Sequence, residues 1–171
     1  MQHDLAWLNS LPAGDAAREL LQCCGSTRWA IQTAAARPYD NLTDLVERAN
    51  EIWWSLDRDD WLEAFRSHPK IGERKSSDTV SAQAQQWSSN EQAGVKTAAL
   101  ETTNALATLN HEYEAKFGYI FIICASGKTS GEMLAALRER IEHDAEEELP
   151  IAAGEQSKIT GLRLKKLLTS P

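Results

Sequence analysis

Apolar residues recur at spacings of three and four along most of this chain, and one stretch breaks that rule by being apolar without interruption. Leu42, Leu45, Val46, Ala49, Ile52 and Trp53 form one stripe of an amphipathic helix. Leu106, Leu109, Tyr113 and Phe117 form another, and Met133, Leu134, Leu137 and Ile141 a third. The exception is residues 119–125, Tyr-Ile-Phe-Ile-Ile-Cys-Ala. This run reads as a buried extended segment, with a buried helix as the alternative. Nothing nearby resembles a partner strand, so no sheet is inferred. The pattern predicts an all-α bundle of about seven or eight helices, with one buried apolar extended segment threaded through it.

Helix punctuation divides the chain further. A short amphipathic helix is expected over 4–9, interrupted by Leu11-Pro12-Ala13-Gly14. Asp15 is placed to cap the next helix, which runs to the cysteines and closes at Gly25. Ser26 caps residues 27–37, ended by Pro38, and a helix follows over 41–56. Acidic residues at 57, 59 and 60 suit the start of another, with Trp61, Leu62 and Phe65 as its buried face. That helix must stop at His68, because Pro69 disfavours the α conformation in the residue before it. Residues 71–87 are polar, either a functional loop or a solvated one, with a short helix expected around 80–86. Ser88-x-x-Glu91 and Ser89-x-x-Gln92 both match a capping box and open a long helix over 88–117, which Gly118 stops. Thr129-x-x-Glu132 opens the next, to 143–144, and the last runs over 145–168 with Pro150 near its start.

At 171 residues the chain is expected to form a single domain, 1–171. Its 42% hydrophobic content and six tryptophans, read as core residues, suffice for a core. The net charge of −7 argues against nucleic acid as a partner. Three cysteines, two of them adjacent, make neither a disulfide framework nor a thiolate zinc site. No membrane-spanning run, signal peptide or peroxisomal tripeptide is expected, and a reducing cytoplasmic setting fits.

Several residues invite chemistry. Histidine as a residue type serves readily as acid or base near neutrality, and His68 ends a helix, where the protonated form is favoured, yet it can equally be a histidine that closes the helix. Glu91 is either a capping carboxylate or part of an anion-binding helix start with Ser88, Ser89 and Gln92 around it. Arg163 falls on the apolar stripe of the last helix with Leu149, Ala152, Ile159 and Leu167. A buried guanidinium needs an anionic partner, either a carboxylate of the chain or one of a substrate. His111, Glu112, Glu114, His143 and Glu147 lack any established metal signature and read as solvated faces. Residues 126–131 lack the spacing of a phosphate-binding loop. No cofactor signature appears. The residues alone suggest a small enzyme acting on an anionic molecule, without naming a reaction.

Four stretches carry a resemblance. They are Phe65-Arg66-Ser67-His68-Pro69-Lys70-Ile71-Gly72; Ser88-Ser89-Asn90-Glu91-Gln92-Ala93-Gly94; Phe117-Gly118 followed by residues 119–125; and Lys158-Ile159-Thr160-Gly161-Leu162-Arg163-Leu164. Together and in this order they resemble the 2-oxo-4-hydroxy-4-carboxy-5-ureidoimidazoline (OHCU) decarboxylases of uric acid degradation, with the Ile-Gly after Lys70 matching the bacterial form. Tyr119-Ile120 stands where many members have Phe-Pro. The resemblance implies an all-helical homodimer and a decarboxylation to (S)-allantoin that uses no cofactor and no metal. It implies His68 as the acid/base residue, Glu91 as its partner and Arg163 as the holder of the anionic substrate. Pro69, Ser88, Ser89, Asn90, Gln92, Phe121, Ile122, Ile123, Cys124 and Ala125 would line the pocket. Other readings are a helical binding or interaction module that kept the fold without the activity, and a metal-dependent hydrolase built on His111 or His143.

Overall fold

A computed structural model describes residues 3–69 and 100–169. Those residues form eight helices and no strand: α1 (Leu5–Ser10), α2 (Ala13–Leu21), α3 (Thr27–Ala35), α4 (Leu42–Ser55), α5 (Arg58–Arg66), α6 (Leu100–Phe117), α7 (Ser130–Arg140) and α8 (Ala145–Thr169). The expected all-α class holds. The expected loop over 71–87, its short helix and the start of the helix at 88 lie outside the described residues. Contacts group the chain into two compact units, one within Met1–Ala64 and Ser157–Pro171, the other within Phe65–Gln156. Among the described residues no helix is long and apolar enough to cross a membrane.

In the first unit, side chains at the helix starts do the punctuating. Asp4 Oδ1 accepts from the Trp7 N–H at 2.8 Å, Ser26 Oγ from Trp29 at 3.2 Å, and Asn41 Oδ1 from Asp44 at 2.9 Å. Asp15 does not cap α2 as expected. Proline has no N–H to lose at a helix start, so α2 begins directly after Pro12 and Asp15 falls in its first turn. The helix also ends at Leu21, well short of Gly25. Indole N–H groups tie elements together: Trp29 Nε1 donates to Ala49 O at 2.9 Å, and Trp61 Nε1 to Trp53 O at 3.0 Å. Arg37 lies beyond the end of α3 rather than in it, and its guanidinium donates to the carbonyls of Ala34, Leu8 and Leu11. The tryptophans are not uniformly core. Trp29 and Trp53 are buried, Trp7 and Trp61 half-buried, Trp54 exposed, and Trp87 lies outside the described residues.

The second unit is organised by α6 and α7 around the apolar run. Leu106, Tyr113 and Phe117 bury one face of α6, with Leu109 half-buried. At Gly118 the backbone turns into the left-handed region, φ +82°, and its N–H donates to Glu114 O at 2.8 Å. A side chain at this φ would be strained, which is why glycine ends the helix. The Thr129 capping box opens α7, with Thr129 Oγ1 accepting from Glu132 N–H at 3.1 Å and Glu132 Oε2 accepting from Thr129 N–H at 3.3 Å.

Candidate active site

His68 sits two residues past the end of α5. Its N–H donates to Phe65 O at 3.2 Å, a last tight turn before Pro69 takes the chain out of the helix. The residue is only 7% exposed. Its Nε2 lies 2.6 Å from Oε1 of Gln156, a fully buried residue of α8. An amide oxygen can only accept, so Nε2–H is the donor in this bond. Gln156 is absent from the residues expected at the site. The signal existed: Gln156 falls on the same buried stripe as Ala152, Ile159 and Arg163. A neutral amide there attracts less notice than a buried charge. Pro69 is half-buried beside the ring's backbone.

The apolar run is buried except at the half-buried Ile120: Phe121, Ile122, Ile123, Cys124 and Ala125 are each 7% exposed or less. It is extended or irregular rather than helical, and side chains satisfy carbonyls that a partner strand would otherwise take. Arg140 Nη1 donates to Ile122 O at 2.6 Å, and Lys128 Nζ to Cys124 O at 3.0 Å. The Arg140 guanidinium also lies over the Phe121 ring, 4.4 Å from its centroid. Glu148, fully buried, holds that guanidinium in place. Its Oε1 accepts from Arg140 Nε at 2.7 Å and from the Tyr113 hydroxyl at 2.5 Å, while Oε2 meets His143 Nδ1 at 3.0 Å. Burial first, and then the bond to Glu148, push the Tyr113 hydroxyl well above the usual phenol range, so it stays a donor.

Arg163 belongs to the first unit and is 3% exposed, as its place on the stripe predicts. Cys23 and Cys24 are buried near it, and its positive charge works against the rise that burial imposes on both thiols. Cys24 is still pushed up to about 12 by burial, with bonds from the Ser26 backbone and Thr160 opposing. Both thiols are therefore protonated and unreactive near neutrality. Glu91, Ser88, Ser89, Asn90 and Gln92 lie outside the described residues. The structure thus joins His68 to Gln156, and shows residues 121–125 and Arg163 as buried parts of their own units.

A family model described as OHCU decarboxylase matches residues 9–165, which takes in all four stretches singled out from the sequence. The chain belongs to the OHCU decarboxylase family. It is 43% identical over 148 residues to the uric acid degradation bifunctional protein TTL of Arabidopsis thaliana, covering 86% of this chain and 45% of that protein. It therefore spans less than half the length of that relative, and 27% of the bifunctional protein PucL of Bacillus subtilis. Against the OHCU decarboxylase of Xenopus laevis it is 30% identical, covering 80% of this chain and 79% of that one. A crystal structure of OHCU decarboxylase in the presence of (S)-allantoin superimposes with a TM-score of 0.75 at 41% identity, covering 88% of this chain and 96% of that chain.

In this member of the OHCU decarboxylase family, two of the residues with metal-ligand chemistry, His143 and Glu147, bond within the chain. His143 pairs with Glu148, and the Glu147 carboxylate accepts from the Asp144 N–H at 3.2 Å at the start of α8. His111 and Glu112 are exposed. Among the described residues no three of His, Cys, Asp and Glu gather as a metal site would require.

Proposed function

We propose that this chain decarboxylates 2-oxo-4-hydroxy-4-carboxy-5-ureidoimidazoline to (S)-allantoin and carbon dioxide without a cofactor. The observation that carries the reading is the family match over residues 9–165, together with a buried, hydrogen-bonded imidazole at His68, the one histidine of the four stretches that carry the resemblance. The substrate supplies its own electron sink. As the carbon–carboxylate bond breaks, its electron pair passes into the adjacent imine, and a proton delivered to one face of the ring sets the S configuration. The protein's work is orientation, fixed electrostatics and proton transfer. In this reading His68 moves the proton, Glu91 acts with it and Arg163 grips the departing carboxylate through its guanidinium fork. Pro69, Ser88, Ser89, Asn90, Gln92 and residues 121–125 form the pocket lining. The protein is further proposed to work as a homodimer in the cytoplasm, where three buried cysteines held in no disulfide suit a reducing medium.

The test is product handedness. Uncatalysed decay of fresh urate oxidation product gives racemic allantoin. The wild-type protein should instead produce optically active (S)-allantoin faster than the blank. Racemic product at the blank's rate would instead assign the chain to the binding or interaction class.

A further inference from the structure

We propose that Gln156 is a positioning residue for His68: its side-chain carbonyl keeps a proton on Nε2, so that proton exchange with substrate runs through Nδ1. This rests on the reading of His68 as the acid/base group. The Nε2–Oε1 distance is 2.6 Å, and both groups are buried, Gln156 fully. An acceptor-only oxygen specifies which nitrogen carries the proton, and through it the tautomer. Rotating the ring would break this bond to a buried amide oxygen, so the bond also restrains the ring plane. The backbone restrains the other end, through the His68 N–H bond to Phe65 O and the proline that follows.

The neutrality of the partner matters as much as its position. A carboxylate in place of the amide would favour the imidazolium and hold the proton on the ring. A glutamine carbonyl accepts from Nε2–H in both the neutral ring and the imidazolium. The ring can therefore gain and lose a proton at Nδ1 while its anchor stays unchanged. A group that both takes and returns a proton in one turnover needs such an anchor.

The experiment is nitrogen NMR on protein labelled with ¹⁵N-histidine, with His68→Asn used to assign the signal, alongside steady-state kinetics of Gln156→Leu and Gln156→Glu. The wild-type neutral ring should carry its proton on Nε2. Gln156→Leu should lose that preference and lower kcat by about 10- to 100-fold with little change in KM. Gln156→Glu should keep Nε2 protonated and shift the ring towards the imidazolium. A wild-type ring protonated on Nδ1, or a folded Gln156→Leu with wild-type tautomer and kcat, would overturn the proposal. Should Gln156→Leu fail to fold, the wild-type spectrum still decides the tautomer. The spectrum needs no substrate, so an inactive protein with the Nε2–H ring sinks the decarboxylase reading alone. An active protein with the Nδ1–H ring sinks only this one.

Discussion

Arg163 and His68 are both buried polar residues whose positions in the sequence already marked them as unusual. Arg163 stood out because a guanidinium on an apolar stripe must be paired. His68 stood out because proline ends its helix. On the proposed reading, Arg163→Ala removes a charged bond to the substrate carboxylate, typically 1.5–3 kcal/mol. The saturation curve of the folded variant should shift to about tenfold higher substrate or more, and an unchanged KM would take Arg163 out of the site. The residue that sequence reasoning passed over is Gln156. Its place on the stripe was legible, but a neutral amide can be satisfied in many ways. Only tertiary structure shows that its partner is an imidazole 88 positions away in the chain.

Helix starts were the most legible elements. The side-chain caps at Asp4, Ser26, Asn41 and Thr129 act within three residues, so local sequence contains all that is needed. The exception, α2, starts at a proline, where no side-chain cap forms. The apolar run was recognisable as buried, and its lack of a partner strand was evident. What replaces the strand was not. Tyr113 reads from the sequence as part of an apolar stripe and His143 as a solvated residue, while nothing singles out Arg140 or Glu148; only packing joins the four into a network that reaches the Ile122 carbonyl through Arg140. Breaking this pair from one side leaves a carboxylate buried without its main cation. Arg140→Met should therefore lower unfolding free energy in urea by about 3–5 kcal/mol. The double variant Arg140→Met, Glu148→Met should lose much less than the sum of the two single changes. Additive losses would show that the pair contributes no coupling.

At the scale of the molecule, the all-α class followed from periodicity alone, while the reaction did not. A buried histidine, a buried arginine and an anion-friendly helix start occur in many enzymes and in many inert cores. The family match over residues 9–165 supplies the chemistry that these residues cannot name, and it spans both compact units. The central claim remains that His68 is the group that moves the proton. Circular dichroism of allantoin formed from freshly oxidised urate, followed for wild type and His68→Asn side by side, tests it most directly. The account predicts that the wild type yields rapid S-handed product. His68→Asn, folded by its far-ultraviolet spectrum, should fall by at least about 100-fold in rate and drift towards the racemic background. A folded His68→Asn protein that makes (S)-allantoin at the wild-type rate would contradict it.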